Sequence, residues 1–334
     1  MNDYALEVKN LHTYFHSRTD GSVNHVLNGV SFGAPRGQIL GIVGESGSGK
    51  SVTMLSVMRL LGKEVSMTGE VLFDGKNLLE CSEKEMRKIR GGKISMVFQD
   101  PMTALNPVYT IGNQLREMIR LHRKDIKDVN AYAAELLETV GISDGRRRMR
   151  QYPHEISGGM RQRVVIAMAL ASEPEILIAD EPTTALDVTV QAQILDLIKD
   201  LTKKRNMTTI LITHDLGVVA HTCDNVVVLY GGRICEKGTA RELLHFSKHE
   251  YTKGLIAAVP GTDAKKKLVP IEGTPVNVNT IPDGCAFCTR CKKAMEICLE
   301  EYPPCRKFSE THDAFCWVNE LPEGFNPFEK EDAR

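Results

Sequence analysis

The chain has 334 residues, 42% of them hydrophobic and 25% charged, a balance that suits a folded globular protein and excludes a disordered one. Its 42 Lys and Arg against 43 Asp and Glu leave a formal charge of −1, so electrostatics alone would not hold it on DNA or on an anionic membrane. The longest apolar run, Val164 to Ala171, has eight residues, far below the ~18 of a membrane span. The start Met1-Asn2-Asp3-Tyr4 also lacks the parts of a secretory signal, and the expected compartment is the cytoplasm.

From about residue 39 to 230, short runs rich in β-branched residues alternate with helical stretches. The first run, Ile39–Val43, leads straight into Gly44-Glu45-Ser46-Gly47-Ser48-Gly49-Lys50-Ser51 and then a helical stretch, Val52–Leu61. This is the Gly-x4-Gly-Lys-Ser pattern of a P-loop, in the strand–loop–helix setting the pattern needs. Its glycines let backbone N–H groups turn inward around a phosphate, and the following helix aims its positive end there. Lys50 would reach the β- and γ-phosphates and the Ser51 hydroxyl would coordinate Mg²⁺.

The next strand candidate is Ile94–Phe98. The stretch from Asp100 to Arg163 holds no strand-like run and reads as a helical insertion carrying Ile111–His122 and Tyr132–Val140. A helix over Met160–Ala171 is followed by Ile176–Asp180, whose apolar residues end in the adjacent acids Asp180 and Glu181. At the carboxyl edge of a sheet Asp180 can hold magnesium through water, and Glu181 can take a proton from an attacking water. Helix Val190–Thr202 and strands Thr209–Thr213 and Val226–Tyr230 complete the alternation. Strands this continuously apolar are buried on both faces of a parallel sheet, with ligands at their carboxyl ends.

Beyond Pro260 the character changes. Residues 261 to 283 carry Lys265-Lys266-Lys267, three prolines and little periodicity, as a linker would. Six of the nine cysteines (Cys285, Cys288, Cys291, Cys298, Cys305 and Cys316) crowd into the stretch that follows. In a cytosolic chain such crowding points to metal or redox chemistry, and a metal would compensate for a core too small to stand alone. The basic run Arg146-Arg147-Arg148-Met149-Arg150 reads as a solvated loop.

Between the P-loop and the acids lies Ile156-Ser157-Gly158-Gly159-Met160-Arg161-Gln162-Arg163, where a serine and two glycines open a helix and make a second anion site. This segment resembles the signature motif of ABC-type ATPases, with Met160 where the consensus has Gln. The remaining elements of that family follow in order: Gln99 at a strand end, Thr184-Ala185-Leu186-Asp187, and His214 behind Leu211-Ile212-Thr213. The resemblance covers about residues 4 to 258. It implies an α/β P-loop ATPase core that binds ATP and Mg²⁺ and works as a pair of nucleotide domains. Ser157, Gly158 and Gly159 of one chain would close on the nucleotide held by the other, with Asp187 beside it. It also implies that Gln99 meets the magnesium, that His214 meets the γ-phosphate, and that Phe15, with Tyr14 as its rival, stacks on adenine. No Asn-Lys-x-Asp element for reading guanine is present.

The resemblance narrows at Phe98-Gln99-Asp100-Pro101-Met102-Thr103-Ala104-Leu105-Asn106-Pro107 and at His249-Glu250-Tyr251-Thr252-Lys253-Gly254-Leu255. These are similar to the ATPase subunits of oligopeptide and dipeptide importers and of relatives that move nickel. The expected domains are a nucleotide-binding domain over 1–260, with a helical subdomain at about 101–170, and a small Cys-rich extension over 261–334. The implied partners are a membrane permease, a second ATPase subunit (identical or paralogous) and, indirectly, an extracytoplasmic peptide-binding protein. The implied place is the cytoplasmic membrane face, and nucleic acid is not expected. Cys285, Cys291, Cys298 and Cys316 match the subfamily pattern, which implies a [4Fe-4S] cluster. Zinc remains the alternative from thiolate chemistry, and Cys288 and Cys305 are additions that leave the ligand set open.

Overall fold

The computed structural model describes residues 3–184, 186–259, 270–277 and 281–320. In chain order, strands Tyr4–His16 (β1), Val23–Pro35 (β2) and Ile39–Val43 (β3) precede helix Lys50–Val57 (α1) and strands Val65–Phe73 (β4) and Lys76–Asn77 (β5). Helix Glu83–Ile89 (α2) and strand Ile94–Val97 (β6) come next. The insertion follows, as helices Pro101–Ala104 (α3), Ile111–His122 (α4), Val129–Thr139 (α5), Gly145–Arg148 (α6) and Gly158–Leu170 (α7). Then come strand Ile176–Asp180 (β7), helix Val188–Arg205 (α8), strand Thr208–Thr213 (β8), helix Leu216–Thr222 (α9) and strands Asn225–Tyr230 (β9) and Arg233–Thr239 (β10). Helices Ala240–Phe246 (α10) and Glu250–Ala257 (α11) lead to the tail, with helix Ile297–Glu300 (α12) and strands Cys305–Lys307 (β11) and Asp313–Phe315 (β12).

The chain divides into two compact units. One comprises Met1–Glu7, Gly33–Leu40 and Val71–Thr213, and the other Val8–Phe32, Gly41–Glu70 and His214–Arg334. In the first, β6, β7 and β8 run parallel, with Ile94 opposite Ile176 and Ile176 opposite Thr208. Every residue of β7 and β8 is buried, as strands covered on both faces require. The segment 101–163 is helical, with no strand among its described residues. Its helices begin where side chains satisfy orphan N–H groups: Thr110 accepts from Asn113 N at α4, and Asp128 from Asn130 N and Ala131 N at α5. The arginine run of α6 is largely exposed, as expected of a solvated loop.

In the second unit β9 pairs with β10, β10 with β12, and β12 with β11, each antiparallel. The pairing of Glu236 with Ala314 joins the tail to β10, in the same compact unit as the P-loop. A buried polar knot supports this joint. Glu236 accepts from Lys248 N at 2.7 Å, from His249 N at 3.0 Å and from His312 Nε2 at 2.7 Å. Burial alone would raise its pKa, but the hydrogen bonds from His312 and the two backbone N–H groups outweigh that and hold the carboxyl below its usual range. The lysines 265–267 lie outside the described residues.

Candidate functional site

β3 is fully buried and, from Gly41 onward in the second unit, delivers the chain into the glycine-rich loop. Gly44 sits at φ 155° and Gly49 at φ 102°. A Cβ on Gly44 would stand 2.2 Å from Leu229 O, and one on Gly49 2.8 Å from Leu27 Cδ2, so both positions need glycine. Ser46 and Gly47 are exposed, while Ser48, Gly49 and Lys50 are buried and Ser51 is half-buried at the start of α1. Lys50 Nζ donates to Gly44 O at 2.8 Å and to Glu45 O at 2.9 Å, spanning the loop. Ser48 Oγ is buried without a hydrogen-bond partner. A turned glycine loop, a buried lysine and an unsatisfied hydroxyl fit an oxyanion such as phosphate.

Also in this unit, Tyr14 and Phe15 are neighbours on β1 and face opposite sides of the strand. Tyr14 stacks on His25 at 4.2 Å between ring centroids, and His25 Nε2 lies 3.1 Å from His12 Nδ1. Phe15 is half-buried on the other side. His214 is exposed, one residue past the end of β8.

In the first unit, Asp180 closes β7 and is 6% exposed. Glu181 follows with φ 45°, a left-handed conformation that costs a non-glycine residue about 1–3 kcal/mol and is often retained at working sites. Its N–H donates to Ile212 O at 3.0 Å. Its Oε2 accepts from Gln99 Nε2 at 3.1 Å and from Thr184 Oγ1 at 3.0 Å. The structure therefore brings Gln99 and Glu181 together, 82 residues apart in sequence. Thr184, which the sequence marks only as part of a motif, holds the same carboxylate with its hydroxyl.

Ser157 caps α7, its hydroxyl accepting from Met160 N at 3.4 Å. Ser157 and Gly158 are exposed, and a Cβ on Gly159 would come within 2.6 Å of Val190 Cγ1. Asp187 caps α8, its Oδ1 accepting from Val190 N at 2.9 Å. The carboxylate read as a nucleotide contact is thus already engaged in local structure. Ala185 lies outside the described residues.

The cysteines converge only in part. Cys285 N donates to Cys298 O at 2.8 Å, and Cys288, Cys298 and Cys316 are buried. Burial, reinforced by the neighbouring thiols of Cys316, Cys298 and Cys288, pushes the Cys285 thiol up to about 12. Burial first and then Cys316 and Cys298 push Cys291 up to about 11. Cys305 stands apart on exposed β11. Among the described residues, no three His, Cys, Asp or Glu side chains are grouped as metal ligands. The geometry gives the iron–sulfur and zinc readings no support of its own.

Two contacts escaped the sequence. Arg290, between Cys288 and Cys291, reaches Glu45 of the P-loop, with Nη1 2.5 Å from Oε2. Tyr251 OH accepts from Glu45 N at 2.7 Å. Tyr251 lies in a segment already singled out by its resemblance, whereas nothing in the pattern around Arg290 distinguishes it from a spacer.

With this geometry in view, the likenesses to known proteins become specific. The ABC transporter family model matches residues 27–184, and the model of the oligopeptide/dipeptide transporter C-terminal region matches residues 235–298. The dipeptide transport ATP-binding protein DppD of Bacillus subtilis is 49% identical over 320 residues, covering 95% of each chain. The chain belongs to the ATP-binding subunits of dipeptide and oligopeptide ABC transporters. The oligopeptide transport ATP-binding protein OppD of Bacillus subtilis is 50% identical, across 94% of this chain and 88% of that one. Solved cassettes agree on the fold. The cbiO1 protein of Clostridium perfringens superposes with TM-score 0.63 at 31% identity, over 73% of this chain and 92% of that one. The ATP-binding cassette MJ0796, determined as a dimer with ADP and Pi, gives 0.62 at 28% identity, over 71% and 99%. The α/β P-loop ATPase core and the ATP-binding role are thereby established for this chain. No helix of the described residues is long and apolar enough to cross a membrane.

Proposed function

We propose that this ABC ATPase hydrolyses Mg-ATP to power import of dipeptides or oligopeptides through a membrane permease. It would act at the cytoplasmic membrane face, paired with a second ATPase subunit of the same or a paralogous sequence. The observation that carries the substrate class is the pair of likenesses, to peptide-transporter ATP-binding proteins over nearly the whole chain and to their C-terminal region.

In this reading the P-loop residues Gly44 to Ser51 hold the phosphates, Lys50 neutralises them and Ser51 with Asp180 serves the magnesium. Phosphoryl transfer of this kind is chiefly positioning and charge stabilisation. Glu181 takes the proton of the attacking water. What supports this is its fixed carboxylate, gripped by Gln99 and Thr184 so that one oxygen is held in place. His214 contacts the γ-phosphate and Gln99 the magnesium. Ser157, Gly158 and Gly159 present an exposed helix start to the nucleotide of the partner chain. Phe15 stacks on the base. Tyr14 is the weaker choice, because His25 already covers its ring. Asp187 acts from the cap of α8. The test is whether the assembled transporter turns over ATP in response to peptide.

A finer proposal concerns the tail: Cys285, Cys291, Cys298 and Cys316 hold a [4Fe-4S] cluster, with zinc as the alternative. The donor chemistry supports it, since four thiols suit either ion, and burial first, then neighbouring thiols, raise the pKa of Cys285, Cys291 and Cys316. Bound metal would favour the thiolates that burial disfavours. No step of ATP turnover runs through it. Protein purified without oxygen is expected to carry about four irons and four sulfides per chain, with broad absorbance near 400 nm. One zinc without sulfide would replace the cluster with a structural clip.

A further inference from the structure

We propose that Arg290 is a positioning residue for the nucleotide: through Glu45 it anchors the cysteine-rich tail to the entry of the P-loop. The proposal rests on the ATP-binding reading above and adds to it a residue outside every nucleotide motif.

Glu45 is the second residue of the loop, and each of its polar groups is held. Its N–H donates to Tyr251 OH at 2.7 Å, and its carbonyl accepts from Lys50 Nζ at 2.9 Å and from Ser48 N at 3.2 Å. Its carboxylate receives both arms of one guanidinium, Arg290 Nη1 at 2.5 Å and Nη2 at 3.1 Å. A planar two-point contact fixes orientation as well as distance, which a lysine ammonium cannot reproduce.

The guanidinium is itself locked from the other side. Nε donates to Glu272 O at 2.9 Å, Nη2 to Ile271 O at 3.1 Å and Nη1 to Tyr230 OH at 3.2 Å. The Arg290 side chain is 3% exposed and that of Glu45 25%, so water competes weakly for the pair. Behind it, Phe287 packs on Tyr230 at 5.3 Å and on Tyr251 at 5.2 Å. Three buried rings thus back the contact: Tyr230 from β9, Tyr251 from α11 and Phe287 from the tail. Arg290 sits in the turn between Cys288 and Cys291, whose own backbone closes with Cys291 N donating to Cys288 O at 3.2 Å.

A loop anchored at Glu45 presents its later N–H groups and Lys50 already ordered. Without the anchor, the nucleotide must supply the cost of ordering, and affinity falls. Glu181 and Gln99, read as serving the attacking water and the magnesium, lie outside this anchor, so the loss belongs to binding more than to turnover.

The experiment measures Mg-ATP affinity of the full chain by displacement of a fluorescent ATP analogue, and KM and kcat in the assembled transporter. Arg290→Ala is expected to raise Kd and KM by about tenfold while kcat changes by less than about threefold. Arg290→Lys should fall between it and wild type. Adding Glu45→Ala to Arg290→Ala should cost little further affinity, because both changes remove one interaction. If Arg290→Ala does not fold, Glu45→Gln retains the side-chain volume and should weaken ATP binding severalfold. Unchanged affinity in a folded variant, or losses that simply add, would overturn the proposal. Failure of wild type to bind Mg-ATP would instead sink the ATP-binding reading.

Discussion

Glu181 shows what one residue contributes. Its backbone occupies a left-handed conformation, its N–H is tied to Ile212 O, and its carboxylate is held by Gln99 and Thr184. A group fixed this way is oriented before the reaction and loses little freedom during it. Glu181→Gln keeps shape and one acceptor while removing the base. We expect it to bind Mg-ATP with near-native affinity and to hydrolyse it about 10²–10⁴-fold more slowly, trapping ATP in a stable dimer. Single-turnover hydrolysis with measured nucleotide occupancy checks this. Wild-type turnover in the variant would remove Glu181 from the mechanism. Nothing near Asp180 and Glu181 in sequence announces the partnership with Gln99, 82 residues away, because a hydrogen bond between distant segments leaves no periodic trace.

At the scale of elements, the starts of α7 and α8 carry the clearest dependence on particular side chains. Ser157 and Asp187 cap them, and Gly159 allows close approach to Val190. Gly159→Ala sets a methyl where Val190 Cγ1 stands 2.6 Å away, so a loss of about 1–3 kcal/mol is expected from overpacking. Val190→Ala in the same chain should recover much of it, since the two changes share one contact. Urea unfolding of both variants measures this, and strictly additive losses would contradict the packing argument. The elements themselves were largely legible. Ile39–Val43, Ile176–Asp180 and Ile111–His122 have the bounds that their apolar patterns indicate. The strands β1, β2 and β4 were not, because their buried and exposed residues alternate irregularly and polar side chains interrupt them.

At the scale of the whole chain, the order of motifs made the ATPase legible, whereas the contacts of the tail were not. There β12 pairs with β10 and Arg290 reaches Glu45, contacts that composition and the run from 261 to 283 do not announce. Pairing between residues some eighty positions apart, as Glu236 with Ala314, depends on tertiary context that a linear pattern does not carry. The C-terminal region is therefore joined to β10 through the backbone and to the nucleotide loop through side chains. Our central claim is that ATP turnover here is harnessed to peptide import. The most direct measurement is ATP-dependent uptake of a labelled dipeptide or oligopeptide by vesicles holding the permease, both ATPase subunits and the peptide-binding protein. We predict uptake that needs ATP, rises with peptide and is abolished by Lys50→Ala in this chain. Peptide-independent hydrolysis with no uptake, or uptake of another solute alone, would contradict it.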